Sequence, residues 1–245
     1  MRELLRKNWL KIVVVFVLVL LVLIFVGLPY FNSAAGPDND NEEVNADDTR
    51  IAAIGDSITY DLYVAASEDD FYPQQLDDLL GDGYVVHNFG VSNYAAQSSS
   101  DFPYETTEEY QESLDFNPEI VIIMLGTNDT KATNWDGAEQ FKEEYIELLE
   151  TYQNLSSVSR IILASPPPAF IDNEVTISGS IDPGVMVNVR DTVEEVANEF
   201  DLEFVDIYEK MSGHSEYFPD GIHPDEEGSA ELADIFYQQI VDETG

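Results

Sequence analysis

The sequence predicts an α/β domain of three layers, with helices on both faces of a central parallel sheet of about five strands, preceded by one N-terminal transmembrane helix. Short apolar runs of strand length alternate along the chain with longer segments of helical periodicity. The runs are continuously apolar, which is typical of parallel strands buried on both faces. Such alternation favours an open sheet with right-handed crossover connections.

Five short apolar runs are the predicted strands, and turns rich in glycine or proline follow most of them. In chain order the runs are Arg50–Ile54, Tyr84–Phe89, Ile120–Leu125, Ile161–Ala164 and the weaker Leu202–Val205.

Four segments between and after these runs repeat apolar residues at helical spacing, which predicts helices that pack on the sheet. The shared faces are Leu76, Leu79 and Leu80; Phe141, Tyr145, Leu148, Leu149 and Tyr152; Val189, Val193, Val196, Ala197 and Phe200; and Leu232, Ile235, Phe236 and Ile240. Asp136, with Glu139 three residues later, is the predicted N-cap of the second helix.

The N-terminus reads as a basic segment, residues 1–11, followed by an uninterrupted apolar run, residues 12–28. As a helix this run is about 25 Å long, and about 32 Å when counted to the flanking Trp9 and Tyr30, against a bilayer core of about 30 Å. Because positive charges precede the run, we expect a cytoplasmic N-terminus and a single-pass protein in the cell membrane with the rest of the chain outside.

A cleaved signal peptide is the alternative interpretation of the same run. Ser33 and Ala35 form a small-x-small site just beyond it, and cleavage there would secrete the domain. The run is longer than the usual apolar region of a signal peptide, which favours the anchor. Both interpretations export the domain.

Residues 29–49 form a predicted acidic linker, and residues 50–245 form the predicted folded domain. The chain has 49 acidic and 10 basic residues, a formal net charge of -39 and no cysteine. The charge excludes nucleic acid as an expected partner, and the lack of cysteine excludes disulfides and thiolate nucleophiles. We hypothesise that the acidic composition is an adaptation to high salt, where ions screen self-repulsion.

Polar turns follow the first three predicted strands. They are Gly55-Asp56-Ser57, Gly90-Val91-Ser92-Asn93 and Gly126-Thr127-Asn128-Asp129. Because the carboxyl ends of parallel strands meet at one edge of a sheet, these turns should converge on one site.

Ser57 is a candidate nucleophile, although a glycine-serine turn with a helix N-cap is the simpler interpretation. A serine nucleophile needs a base, and the chain has three histidines. His87 lies within a predicted strand, and His214 has no carboxylate at useful spacing. His223 follows Asp220 by three residues on a loop stiffened by prolines, so the carboxylate could orient the imidazole. An acidic surface turn before the last helix is the equal alternative.

Four short blocks, GDSIT, NFGVSN, GTND and DGIH, together resemble the four blocks of the SGNH or GDSL-type serine hydrolases. The resemblance spans residues 51–228 and implies a flavodoxin-like three-layer fold. The G-x-S-x-G elbow of ordinary α/β-hydrolases occurs nowhere in the chain, which argues against that other serine-hydrolase fold.

The resemblance implies a role for each residue that matches a block. It makes Ser57 the nucleophile, His223 the general base and Asp220 its orienting partner. It also implies an oxyanion hole formed by the backbone N–H groups of Ser57 and Gly90 and by the side-chain amide of Asn128.

Two further residues are predicted to contact substrate. Asn93 stands where many relatives have a second glycine, and we expect it to shape the pocket. Trp135 could stack on a sugar ring, with packing against the following helix as the equal alternative. The segments LGTNDTKATNW and ASPPPAF look like those of family members that deacetylate carbohydrates, such as acetylxylan and sialate O-acetylesterases.

The resemblance therefore implies a serine esterase that removes O-acetyl groups from carbohydrate through an acyl-serine intermediate, and the N-terminal apolar run predicts that it is exported. The alternatives are a lysophospholipase or thioesterase of the same fold and a catalytically silent carbohydrate-binding module. The expected partners are a small-molecule or polysaccharide ester and, through the N-terminal helix, the membrane. No motif for a metal or phosphate-containing cofactor is present, so none is expected. The sequence predicts no oligomeric state.

Overall fold

Five parallel strands form the centre of the computed structural model, which describes residues 39, 44–60, 70–171 and 181–242. The strands are Thr49–Gly55 (β1), Tyr84–Gly90 (β2), Ile120–Met124 (β3), Arg160–Ala164 (β4) and Glu203–Val205 (β5). Their order across the sheet is β2-β1-β3-β4-β5, and every neighbouring pair is parallel. The predicted five-stranded parallel sheet is confirmed.

Helices connect and flank these strands. They are Ser57–Tyr60 (α1), Tyr72–Leu80 (α2), Glu108–Asp115 (α3), Ala138–Gln153 (α4), Pro183–Glu199 (α5), Ile207–Met211 (α6) and Glu226–Asp242 (α7). Short 3-10 turns span Tyr104–Thr106, Asn128–Thr130 and Ser215–Tyr217.

The sheet is buried on both faces because successive strand side chains point to opposite sides. In β1, Ile51 and Ala53 join a core cluster with residues of α2 and α7. Ala52 and Ile54 join a second cluster with residues of α4 and α5. This arrangement explains why the strands read as continuous apolar runs.

Two details of the predicted helices are wrong. Helix α4 begins at Ala138 with Gly137 as its N-cap and no side-chain cap hydrogen bond, so Asp136 is not the cap. Leu79 is 45% exposed, because α2 buries the row that begins with Tyr72 and Leu76. Leucine at helical spacing did not identify the buried face of this nine-residue helix.

The predicted basic segment and apolar run of residues 1–28 lie outside the described residues, as does most of the predicted linker. Within the ranges that the structure describes, no helix combines the length and the apolar composition that crossing a membrane requires.

The strand order places a topological switch point between β1 and β3, because the chain moves outward from β1 to β2 and then returns to β3. In open α/β sheets, ligands bind outside the carboxyl ends of the strands at such a point. The turns after β1, β2 and β3 lie at this edge, where the sequence predicted a site.

Candidate active site

Ser57 is the first residue of α1, directly after β1. The turn is held by Asp56, whose Oδ1 accepts the Ile58 N–H at 3.0 Å and whose carbonyl accepts the Tyr60 N–H at 2.9 Å. Ser57 is only 7% exposed, and its Oγ lies 2.8 Å from His223 Nε2. The hydroxyl is therefore presented to an imidazole from a distant part of the chain.

Asp220 holds the other side of that imidazole. Its Oδ2 lies 2.6 Å from His223 Nδ1, and its Oδ1 accepts the backbone N–H groups of His223 at 2.7 Å and Ile222 at 2.9 Å. Burial alone would raise the pKa of the Asp220 carboxyl, but the hydrogen bonds from the His223 ring and these two N–H groups outweigh it and lower the pKa. An ionised Asp220 favours a proton on Nδ1, which leaves Nε2 free to accept the serine proton.

The loop that carries Asp220 and His223 is anchored to the segment after β4. The Gly221 carbonyl accepts the Phe170 N–H at 2.7 Å, and Gly221 adopts a φ of 85° that favours glycine. Ile222 is 4% exposed and packs in a small cluster with Met186 of α5. These contacts position the imidazole before any substrate binds.

Asn128 begins the 3-10 turn that follows β3. Its Nδ2 donates to the Tyr94 carbonyl at 2.9 Å, and its own carbonyl accepts a hydrogen bond from Asn134 Nδ2 at 2.9 Å. An amide nitrogen carries two hydrogens, so the bond to Tyr94 orients the side chain and leaves one donor for a ligand.

The structure gives Gly90 a different environment from the predicted one. Its N–H donates to Asn88 Oδ1 at 2.9 Å, so this donor is occupied in the conformation described. A Cβ on Gly90 would lie 2.3 Å from the Tyr60 nitrogen. The resemblance predicted this N–H as an oxyanion donor, whereas here the glycine allows the α1 backbone to approach closely.

Asn93 is exposed and has a φ of 77°, a left-handed conformation that asparagine adopts more readily than most residues. The sequence did not single out the residue that holds it. Lys131 Nζ donates to Asn93 Oδ1 at 2.5 Å and to the Asn93 carbonyl at 3.3 Å. Lys131 is 5% exposed, and burial lowers its pKa against the opposing effect of Asp101, Asp56 and Asp129.

A signal for Lys131 was available in the sequence. After residue 35 the chain has only six basic residues, and Lys131 follows the GTND block by a single residue. A basic side chain next to a recognised motif, in a domain with so few basic residues, indicates a specific carboxylate or amide partner.

Asp129 fixes the loop that follows Asn93. Its two carboxylate oxygens accept the Ala96 N–H at 3.0 Å and the Gln97 N–H at 2.9 Å. Burial raises the pKa of Asp129 to about 7, although these two hydrogen bonds oppose the shift. Burial also raises the pKa of Asp56, so two carboxyls lie beneath the site in surroundings that disfavour their ionised forms.

Trp135 does not join this group of residues. Its ring packs against Phe141 of α4 with 5.9 Å between the ring centroids, and it belongs to the cluster on that face of the sheet. This is the packing role that the sequence left as the alternative to sugar stacking.

The structure thus brings together Ser57, His223 and Asp220, with Asn128 and Asn93 on neighbouring loops. A serine hydroxyl bonded to an imidazole that a carboxylate orients is the arrangement of a nucleophilic triad, and here it lies at the carboxyl edge of a parallel sheet. The part of the chain that the structure describes has no cluster of three or more metal-ligating side chains. The fold and site define a three-layer α/β/α protein with a Ser-His-Asp triad.

Comparison of the sequence with protein-family models assigns the chain to one family. Residues 53–230 match the model of the GDSL-like Lipase/Acylhydrolase family. This match covers most of the chain, and the protein belongs to that family.

Two curated proteins share sequence similarity with the chain. An acetylxylan esterase from Xylanibacter ruminicola is 32% identical over 216 residues, which cover 79% of this chain and 43% of that protein. A multidomain esterase from Ruminococcus flavefaciens is 23% identical over 128 residues, or 51% of this chain and 16% of that protein. The chain thus spans less than half the length of the curated relatives it matches.

Solved structures with the same fold include an aryl esterase from M. smegmatis, with a TM-score of 0.64, 20% identity and coverage of 79% of this chain and 99% of that one. A carbohydrate acetylesterase from Sinorhizobium meliloti has a TM-score of 0.62 and 17% identity, and covers 79% of this chain and 99% of its own. At these identities the likeness establishes the shared fold.

Proposed function

We propose that this protein is a serine esterase that hydrolyses carboxylic esters through an acyl-serine intermediate, with O-acetyl groups on carbohydrate as its main substrates. The observation that carries the proposal is the continuous contact from Ser57 Oγ through the His223 ring to Asp220, with distances of 2.8 and 2.6 Å. Membership of the acylhydrolase family supports the same reaction class.

In the proposed mechanism, Ser57 Oγ attacks the ester carbonyl carbon while His223 Nε2 takes the hydroxyl proton. Asp220 remains ionised and stabilises the imidazolium that forms. The tetrahedral intermediate collapses when the C–O bond to the alcohol breaks and Nε2 returns the proton to the leaving oxygen. Water then gives a proton to His223 Nε2 and attacks the acyl carbon. The bond to Ser57 Oγ breaks, Nε2 returns the proton to Oγ, and the acid is released.

The negative charge of the tetrahedral intermediate needs donors that are already in place. We assign this role to the free hydrogen of the Asn128 amide, which its bond to Tyr94 orients, and to the Ser57 N–H. The Ser57 N–H is in the first turn of α1, where backbone donors have no helical acceptor. The predicted Gly90 donor would first have to leave Asn88 Oδ1.

Two observations support acetyl groups on carbohydrate as the proposed substrates: the reported activities of similar proteins and the negative net charge of this chain. The acetylxylan esterase is the relative with 32% identity, and a carbohydrate acetylesterase shares the fold. A net charge of -39 repels anionic lipid surfaces, which disfavours a lipid-directed enzyme, whereas acetylated neutral sugars carry no charge.

The test is a series of nitrophenyl esters of increasing acyl length, assayed with the wild-type protein and with Ser57→Ala. We expect turnover to be highest for the acetate and to be abolished in the Ser57→Ala variant. Highest turnover with long acyl chains would indicate the lipid-directed alternative. Equal turnover in the variant would refute the triad mechanism, and no turnover of any ester would favour a silent binding module.

We also propose that the catalytic domain is exported and remains tethered to the membrane. The support is the sequence alone, an apolar run of residues 12–28 behind the basic segment of residues 1–11. The test is fractionation of expressing cells, followed by protease treatment of intact cells and N-terminal sequencing. Membrane-bound protein with an intact N-terminus and a protease-accessible domain is expected. A mature N-terminus just after Ala35 would show secretion, and protection from protease would contradict export.

A further inference from the structure

Phe102 is an aromatic side chain that the fold leaves open to solvent. It is 44% exposed, and the other large apolar side chains exposed in the described ranges are Val44, Leu79 and Val187, which are aliphatic. A single exposed apolar residue is ordinary on a protein surface. Phe102 differs from the other three because of how it is held and where it lies.

The segment that carries Phe102 is fixed on both sides. The buried side chain of Asn134 accepts the Asp101 N–H at 3.0 Å and donates to Asp101 Oδ1 at 2.9 Å. The Phe102 carbonyl accepts the Ala95 N–H at 2.9 Å. The exposed ring therefore projects from backbone that is hydrogen-bonded on either side of it.

The same contacts connect Phe102 to Asn128, the proposed oxyanion donor. Asn134 Nδ2, which holds Asp101, also donates to the Asn128 carbonyl at 2.9 Å. The Phe102 ring meets the half-buried Tyr94 ring edge-on, with 5.7 Å between centroids, and the Tyr94 carbonyl accepts the Asn128 amide. One aromatic neighbour thus separates the exposed ring from the proposed oxyanion donor.

Polar groups border the aromatic pair. Lys131 Nζ lies 6.0 Å from the centre of the Phe102 ring and bonds to the exposed Asn93. An aromatic ring for stacking with an adjacent amide for hydroxyl groups is the combination that polar, flat ligands require. Lys131 is buried, whereas Asn93, Asp101 and Phe102 are exposed residues.

We propose that Phe102, with Tyr94 and the Asn93 amide, forms a subsite that binds a neutral sugar ring next to the reacting acetyl group. The sugar stacks on the open face of Phe102 and its hydroxyls bond to Asn93. This inference rests on the proposed function, because it assigns the sugar to the same site. It replaces Trp135, whose ring packs against Phe141, as the stacking residue.

The subsite predicts a preference for uncharged carbohydrate. The exposed Asp101 carboxylate is adjacent to Phe102 in the chain, and the protein carries a net charge of -39. A uronic acid bound on this ring would meet that field, whereas an acetylated pentose or hexose would not.

The experiment compares kcat/KM for an acetylated xylo-oligosaccharide and for p-nitrophenyl acetate, using the full chain as wild type, Phe102→Ala, Phe102→Trp and Leu79→Ala. For Phe102→Ala we expect the ratio of sugar ester to aryl ester to fall about tenfold, mainly through KM. Phe102→Trp should keep the ratio. Leu79→Ala, which removes an equally exposed side chain from α2, is the matched control and should keep wild-type values.

A second measurement separates this proposal from the esterase proposal. Binding of unacetylated xylohexaose to Ser57→Ala is measured by calorimetry, with and without Phe102→Ala. A Kd at least about tenfold weaker in the double variant supports the subsite, even if no ester is turned over. An unchanged selectivity ratio in Phe102→Ala, or xylohexaose binding that does not depend on Phe102, overturns it. Absence of ester turnover with Phe102-dependent binding would overturn the esterase proposal alone.

Discussion

Ser57, His223 and Asp220 contact one another directly, whereas Asn93 and Asn128 are each held by hydrogen bonds to residues outside the triad. The triad is a line of side-chain contacts of 2.8 and 2.6 Å. The loops of Asn93 and Asn128 depend on Lys131, Asp129 and Asn134. The buried side chains of these three residues bond to Asn93, to the Ala96 and Gln97 N–H groups and to the Asn128 carbonyl.

This difference predicts how substitutions in the two groups of residues affect the protein. In the proposed mechanism, removing a triad group removes a step of the chemistry, and the fold around it can remain intact. Removing a buried lysine, carboxylate or amide leaves its partners unsatisfied in a poorly solvated region, so stability and activity change together. The predictions below test this contrast, from the largest expected effect to the smallest.

Asp220→Asn should lower kcat about 10⁴-fold while the protein remains folded, because the amide favours the wrong imidazole tautomer. Steady-state kinetics on p-nitrophenyl acetate measures the loss, and circular dichroism checks the fold. Asp225→Asn is the matched control near the same loop, since the Asp225 side chain accepts the Gly228 N–H and asparagine can also accept it. A loss below about tenfold for Asp220→Asn would remove Asp220 from the triad.

Asn128→Ala should lower kcat about 10²–10³-fold with a smaller change in KM, because a donor to the developing oxyanion is lost. The Tyr94 carbonyl also loses its partner, so unfolding by urea should show reduced stability as well. Both quantities are measured on the same preparation. A change in stability without a change in kcat would make Asn128 a purely structural residue.

Gly90→Ala should destabilise the domain by about 3 kcal/mol, because the new Cβ would lie 2.3 Å from the Tyr60 nitrogen and α1 must move. Since α1 carries Ser57, turnover should fall with stability. Gly213→Ala is the control, because an added Cβ there meets nothing within 4 Å and the φ of Gly213 is not positive. Equal stability of the two variants would contradict the packing described for Gly90.

The buried carboxyl of Asp129 should make stability depend on pH. Its pKa in the fold is about 7, above the value of about 4 of an unfolded aspartate, so its contribution is complete only below about pH 4 and is lost as the pH rises from there through 7. Relative to Asp129→Asn, the free energy of unfolding of the wild type should fall by about 1.4 kcal/mol between pH 6 and pH 8.

Urea unfolding of both proteins at the two pH values measures this difference. The asparagine variant loses one hydrogen-bond acceptor, which lowers its stability at both pH values by a similar amount. The comparison therefore concerns only the change in the free energy of unfolding between the two pH values. Parallel pH profiles for the two proteins would show that Asp129 is ionised throughout this range.

The fold could be predicted from the sequence because each strand is a short apolar run and each polar turn follows the end of a strand. The turns that contain Ser57, Asn93 and Asn128 lie at one edge because the sheet is parallel, which the continuous runs predicted. The four family blocks predicted the contact between Ser57 and His223, which are 166 residues apart. Leu79 and Asp136 were misjudged because spacing and capping patterns do not reveal which face a short helix buries or where its first turn begins.

The sequence by itself predicted the layers of the domain and the sheet edge that carries the candidate site, because apolar periodicity and the positions of the polar turns encode both. The proposed triad residues were predicted through the resemblance of four short blocks to a known family. Only the tertiary structure decided that the Gly90 N–H is occupied, that Lys131 holds Asn93 and that Phe102 rather than Trp135 is open to solvent. The physical reason is that occupancy and exposure depend on partners distant in the chain. Lys131 lies 38 residues from Asn93, and Asn134 lies 33 residues from Asp101.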